Sequence, residues 1–178
     1  PAVELSFRFD TGVEALPGEN FWLCGHLDRL VRFNGDLFFL DRKTTKSALG
    51  TYFFDGFSPD NQMSLYTLAT QIVYKTPAKA GIIDGAQILV TGSRFQRGFV
   101  TRTDDQLKEW MRDTMMYLRA AVGYAEEGYW PMNDKSCKNY GGCPFQGLCS
   151  KAPSVREDWL RAMTAQRVWD PLVIRGDI

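Results

Sequence analysis

The run Phe21-Trp22-Leu23-Cys24-Gly25-His26-Leu27-Asp28-Arg29-Leu30-Val31-Arg32-Phe33, then Asn34-Gly35-Asp36, then Leu37-Phe38-Phe39-Leu40-Asp41-Arg42-Lys43-Thr44 decides the fold. Two apolar, β-prone segments flank an Asn-Gly pair, the strongest short-range signal for a hairpin. Alternate residues of a strand share a face, so Asp41 and Lys43 point one way and Arg42 the other. Asp28, on the preceding strand, reaches the same face where the register brings the two segments together. Two carboxylates and one ammonium are thereby expected to converge.

Outward from this hairpin, Val3 to Phe9 alternates as a strand, and Thr11 to Asn20, with Gly12, Pro17 and Gly18, reads as the turn region after it. Ser58-Pro59-Asp60 starts a helix whose apolar positions Met63, Leu65, Tyr66, Leu68, Ala69, Ile72 and Val73 carry it to about Tyr74. Gly81 to Thr91 and Arg94 to Thr103 read as two strands around a Gly92-Ser93 turn. Asp104 to Glu127 reads as a long helix, and a short one is expected from Ser154 to about Gln166. The expected architecture is α/β, a mixed central β-sheet flanked by helices. Its expected divisions are a core over residues 1–133, a cysteine-rich loop over 134–150 and a helical tail over 151–178.

Of the 178 residues 44% are hydrophobic, enough for one compact core. Lys plus Arg equal Asp plus Glu at 21 each, so no global positive field announces a nucleic acid, and such attraction falls to local patches. Gly81 to Val90 is too short to span a bilayer, and the N-terminus lacks a basic-then-apolar leader, so no membrane association is expected. A cytoplasmic protein is the expectation, in the host cytoplasm if phage-encoded. The chain opens on Pro1 and enters a strand at once, which reads as a fragment or a processed form.

Phosphodiester hydrolysis needs charge neutralised on the non-bridging oxygens, hydroxide generated near neutral pH and a stabilised leaving oxygen. A divalent ion held by two carboxylates supplies all three. The oxygen donors of Asp28 and Asp41, with the backbone carbonyl of Arg42 as a further ligand, favour Mg²⁺ or Mn²⁺ over Zn²⁺. Lys43 would orient the attacking water and offset transition-state charge. The plainer alternative pairs the two acids with Arg29, Arg42 or Lys43 as ordinary strand-end charges.

Gly25-His26-Leu27-Asp28, Asp41-Arg42-Lys43-Thr44 and Gln62-Met63-Ser64-Leu65-Tyr66 follow one another as G-x-x-D, D-x-K-T and Q-x-x-x-Y. In that order they resemble the RecB-like (Cas4/AddB-type) nuclease family of the PD-(D/E)XK superfamily, over roughly residues 1–150 with the cysteine region. The resemblance implies metal ligation by Asp28 and Asp41, a catalytic Lys43, and a Gln62 and Tyr66 that shape the site or hold the DNA strand. Four residues apart, Gln62 and Tyr66 lie on one helix face, where an amide and a phenol can bond a phosphate or a carboxylate. Members of that family also carry an acid or a histidine in a helix before the first core strand, and the chain opens after that point. His26, the one histidine, sits at the variable position of G-x-x-D and does not match it. Glu4 is a spare carboxylate on the first strand.

Cys137, Cys143 and Cys149 fall within thirteen residues, while Cys24 stands far upstream, a distribution that suits a metal site better than two disulfides. Soft ligands at this density suit an iron–sulfur cluster or structural Zn²⁺. The resemblance implies a 4Fe-4S cluster on these three and one upstream cysteine. Cys24 shares a strand face with His26 and Asp28 on simple alternation, so the fourth cysteine is expected in chain preceding Pro1, with the site here incomplete or completed by another group; Cys24 as the fourth ligand is a second reading. The alternative is three unliganded thiols.

Arg29, Arg32, Arg42 and Lys46 flank the carboxylates, and Arg94, Arg97 and Arg102 lie on the later hairpin. Arg29, Lys46 and Tyr66 are the expected DNA contacts. Tyr52, Phe53, Phe54 and Phe57 would stack on unpaired bases or pack in the core. The expected activity is metal-dependent DNA cleavage, of exonuclease type by resemblance, in DNA processing, repair, phage or CRISPR-related pathways. A helicase, recombination or CRISPR-adaptation protein is the corresponding partner. The competing readings are an inactive nuclease-fold module that binds DNA or assembles a complex, and a metal-stabilised interaction domain built on the cysteine loop.

Overall fold

The computed structural model describes residues 2–75, 78 and 80–166; the expected tail beyond residue 166 lies outside them. These residues form two compact units that divide between Arg119 and Ala120.

The first unit is built on strands β1 (Ala2–Leu16), β2 (Glu19–Phe33), β3 (Asp36–Thr45), β4 (Ala80–Leu89) and β5 (Gly92–Thr101), in that order across one sheet. Only β3 and β4 run parallel; the other neighbours are antiparallel. Parallel neighbours need a crossover. Helices α1 (Thr51–Asp55) and α2 (Asn61–Tyr74) supply it, and α3 (Asp104–Glu126) begins after β5. The sheet is thus mixed and flanked by helices, as the sequence led us to expect.

Asn34 and Gly35 both take positive φ, 51° and 89°, the primed hairpin turn that Asn-Gly favours. Two boundaries differ from expectation. β1 does not stop at Phe9 but continues to Leu16, and the reversal is confined to Pro17-Gly18. The ladder slips between Asp10 and Glu14 without being lost, because side chains bridge the gap. Asp10 accepts from the Gly12 N–H at 2.7 Å and from Asn20 Nδ2 at 3.0 Å, while Thr11 donates to the Phe21 carbonyl at 2.8 Å. The second difference is the β4–β5 turn, which falls on Val90-Thr91, so that Gly92, at φ 143°, already opens β5.

The core joins Phe7, Leu27, Leu30, Phe39, Ile83 and Val100 of the sheet to Met63, Tyr66 and Ala69 of α2. A fully buried side chain of this size stabilises the fold by roughly 1.5–3 kcal/mol. Phe39 fits only because its β4 partner is Gly81, where a methyl group would stand 1.9 Å from the ring. Asp60 caps α2 by accepting from the Met63 N–H at 2.9 Å. Thr103 and Gln106 form a reciprocal capping box at the start of α3: the Gln106 N–H donates to Thr103 Oγ1 and the Thr103 N–H to Gln106 Oε1.

Arg102, expected among the surface cations, is buried. Its guanidinium donates to Ser64 Oγ at 3.0 Å, to the Phe57 carbonyl at 2.9 Å and to the Thr101 carbonyl at 2.9 Å, clamping the approach to α2 onto the end of β5. Burial pushes its pKa down, with the charge of Asp60 opposing.

The second unit contains the end of α3, two 3-10 turns at Asp134–Ser136 and Asn139–Gly141, and helices α4 (Gln146–Cys149) and α5 (Pro153–Met163). Arg156 of α5 ties that helix to the end of α4 by donating to the carbonyls of Cys149 at 3.0 Å and Lys151 at 2.9 Å. Among the described residues no helix is long and apolar enough to cross a membrane.

Candidate active site

The β2–β3 ladder ends at the pair Arg29↔Leu40. Beyond it the carboxylate of Asp28 takes over, its Oδ2 accepting from the backbone N–H of Arg42 at 2.9 Å. Here β2 also breaks its alternation: Leu27 and Leu30, three residues apart, are both buried in the same core. Across from the break, between the pairs Val3↔Arg29 and Leu5↔Leu27, lies Glu4 with φ at 51°. A side chain at positive φ and a slipped alternation together mark a local irregularity that re-aims β2. The simple alternation that would turn Cys24 and His26 toward the same side as Asp28 is interrupted at this point. His26 meets Ser6 instead, with Nδ1 at 2.9 Å from Oγ.

On β3 the expected split holds. Asp41 is 3% exposed, and Lys43 Nζ stands 2.8 Å from its Oδ2. That contact is a short ion pair, and among the described residues Oδ2 of Asp41 has no further hydrogen-bond partner. Burial raises the carboxyl above its ordinary 3.8; Lys43 opposes the shift, and the charges of Asp28 and Asp60 add to it.

Lys43 also donates to Gln62 Oε1 at 2.7 Å, and Gln62 Nε2 donates to the Tyr66 hydroxyl at 2.9 Å. The chain Asp41, Lys43, Gln62, Tyr66 therefore runs from the sheet to α2. Tyr66 is 7% exposed and packs edge-on to Phe7 and Phe39, which leaves little of it for direct contact with a nucleic-acid strand. Burial, then the nearby Asp41 charge, raises its pKa, so its hydroxyl stays protonated.

Arg42 points to the other side of the sheet. It donates to Asp84 Oδ2 from Nε at 3.1 Å and from Nη2 at 2.8 Å, and Arg97 donates to Asp84 Oδ1 at 3.0 Å. Burial alone would raise the Asp84 pKa, but the two guanidiniums outweigh it and hold the carboxyl below its usual range. Asp84 escaped the sequence reading, although its pairing with both arginines follows directly from the register Arg42↔Asp84↔Arg97. Arg29 and Lys46 are exposed, and the Lys46 carbonyl accepts from Gln87 Nε2 at 3.3 Å.

A buried carboxylate with one ammonium against it, beside a second carboxylate, suits a hard divalent cation: the desolvation already incurred at Asp41 is further offset once a cation binds. The cysteines differ. Cys137, Cys143 and Cys149 are half-buried free thiols. Among the described residues no three His, Cys, Asp or Glu side chains gather into a group able to hold a metal ion. The loop as folded does not fit an iron–sulfur cluster or a zinc ion.

The sequence profile of the PD-(D/E)XK nuclease superfamily matches residues 1–150. The chain belongs to that superfamily. Its members are nucleases that generally use Mg²⁺ or Mn²⁺, in keeping with the oxygen donors at Asp28 and Asp41. A search of curated proteins returns no match. A solved structure titled "Crystal structure of SSO0001" is similar at 17% identity and a TM-score of 0.49, over 84% of this chain and 59% of that one. At that distance the likeness adds nothing to the superfamily assignment.

Proposed function

We propose that this PD-(D/E)XK chain is a Mg²⁺- or Mn²⁺-dependent deoxyribonuclease, of exonuclease type and RecB-like lineage, with Asp28, Asp41 and Lys43 at its centre. The observation that carries the reading is the buried Asp41 carboxylate, whose Oδ2 faces the Lys43 ammonium at 2.8 Å and has no further hydrogen-bond partner among the described residues. A fold keeps a carboxylate this desolvated, with one ammonium as its counter-charge, at a cost that a functional role at the site would explain.

Asp28 and Asp41, with the Arg42 carbonyl, would hold the cation. When bound, it supplies charge neutralisation on the phosphate and an acidified water. Asp28 is held in place by the Arg42 N–H. Lys43 is poised between Asp41 and Gln62, placed to orient the attacking water and to offset charge on the phosphorane-like transition state. Gln62 and Tyr66 position Lys43: the amide oxygen accepts from the ammonium while the amide nitrogen is anchored on a buried phenol. Arg29 and Lys46, exposed near the two ends of the site, would contact flanking phosphates and give sequence-independent, salt-sensitive affinity.

DNA is the proposed substrate, within DNA processing, repair, phage or CRISPR-related pathways, and a helicase, recombination or CRISPR-adaptation protein is the corresponding partner. The test is degradation of end-labelled single- and double-stranded DNA with Mg²⁺ or Mn²⁺, comparing wild type with Asp41→Ala and Lys43→Ala. Loss of cleavage in both variants supports the assignment. Equal activity in all three proteins overturns it, and DNA binding without cleavage by wild type establishes instead an inactive module on a nuclease fold.

A further inference from the structure

The four aromatic residues between β3 and α2 divide into two kinds. Phe53, Phe54 and Phe57 pack against the core, and the Phe53 ring lies 5.0 Å from that of Phe54 and 5.3 Å from that of Phe57. A methyl group at Gly98 would stand 2.4 Å from the Phe54 ring, and one at Gly85 would stand 3.1 Å from the Phe53 ring. These two glycines let α1 lie directly on the sheet. Tyr52 is 95% exposed, the most exposed aromatic side chain among the described residues. Its ring contributes almost nothing to packing, on a helix held down by its next two residues.

The place where α1 is held matters. Gly85 is the partner of Lys43 in the parallel β3–β4 ladder, so the two share a face. Phe53 therefore packs one strand over from the Lys43 position, about 5 Å away in the sheet. The connection from β3 to α1 is braced as well, by the Gln87 amide on the Lys46 carbonyl at 3.3 Å and by the Ser47 N–H on Thr45 Oγ1 at 2.9 Å. A planar ring with two side-chain torsions is thus fixed at the backbone and open on its faces, on the helix whose Phe53 packs one strand over from Lys43.

We infer that Tyr52 is a stacking platform for an unpaired nucleobase of the strand whose phosphate lies at Asp28, Asp41 and Lys43; this rests on the nuclease reading above. Stacking on a tyrosine face accepts any base, because every base presents a π surface, and it favours single-stranded ends over intact duplex. It supplies binding and leaves the chemical step to the carboxylates and the lysine. Lys46, on the braced connection, would take a neighbouring phosphate of the same strand.

The experiment uses single-stranded oligonucleotides carrying one abasic residue walked along the sequence, cleaved by wild type, Tyr52→Ala, Tyr52→Phe and Tyr52→Trp. Tyr52→Ala is expected to raise KM roughly 5- to 150-fold, the range of alanine substitutions at base-stacking aromatics, with an unchanged thermal midpoint. Its kcat should stay within about twofold, the signature of lost uniform binding. Phe and Trp should retain the wild-type KM. An abasic residue at one position should raise the wild-type KM to a similar extent and add nothing further in Tyr52→Ala. If wild type cleaves and Tyr52→Ala keeps its KM, or if Tyr52→Phe fails as badly as Ala, stacking is overturned and the nuclease reading stands. A wild type that degrades duplex but neither binds nor cleaves single-stranded DNA overturns stacking alone, and one inactive on both overturns both.

Discussion

Two regions of this chain carry the residue types of a metal site, and the fold treats them differently. Asp28, Asp41 and Lys43 sit on adjacent strands, where ladder spacing and alternation leave few choices of position. Asp41 is desolvated, Lys43 lies 2.8 Å from it, and Asp28 is locked onto the Arg42 peptide. Cys137, Cys143 and Cys149 instead occupy short 3-10 turns and a four-residue helix, and their thiols stay unpaired and ungathered. Ligand density along a chain is therefore a weaker guide than the element that carries the ligands. A strand fixes a side chain's direction, whereas a Gly-rich loop does not.

The contrast breaks first at Asp41. Asp41→Ala is expected to lower cleavage at least about a thousandfold, since several kcal/mol of metal-borne stabilisation leave with it; steady-state rates with Mg²⁺ or Mn²⁺ measure this. Lys43→Ala should cost on the order of a hundred- to a thousandfold in kcat, comparable to removing one preorganised charge donor.

Acidity sharpens the same comparison. The pKa of Asp41 is raised in the fold above its ordinary 3.8. Its contribution to the stability of the metal-free protein is thus fully present below that value and is lost as pH rises through the raised one. Asp41→Asn should remove this slope in metal-free melting curves while abolishing cleavage. Cation affinity runs the opposite way and should climb with pH across the same window, because protons and metal compete for one carboxylate. A flat affinity profile there would argue that Asp41 is not a ligand.

Smaller effects test the periphery. Gln62→Ala should reduce kcat by up to about tenfold, the worth of one positioning hydrogen bond, and Gln62→Glu should hold Lys43 better than Ala does. At the foot of the scale, Cys143→Ser should leave activity within about twofold and the melting temperature unchanged, because a half-buried free thiol replaced by a hydroxyl of similar size removes little. A larger loss, or a visible absorption band in wild type that dithionite bleaches, would return the cysteine loop to the list of metal sites.

Much of the fold was legible in local chemistry. Asn34-Gly35 dictated a primed turn, Asp60 capped α2, and the D-x-K alternation placed Asp41 and Lys43 on one face with Arg42 on the other, because each of these depends on residues a few positions apart. Tertiary structure decided the rest. That β1 runs on to Leu16 depends on Asp10 and Asn20 meeting across a hairpin. The join of Asp28 to Arg42 depends on where the β2–β3 ladder ends, and the burial of Arg102 on α2 docking against the end of β5. Periodicity sets which way a side chain points, but only packing decides whether water or protein lies there. The pair read first, Asp41 and Lys43, was therefore visible as a pattern. The desolvation that gives the pair its chemical meaning was supplied by the fold.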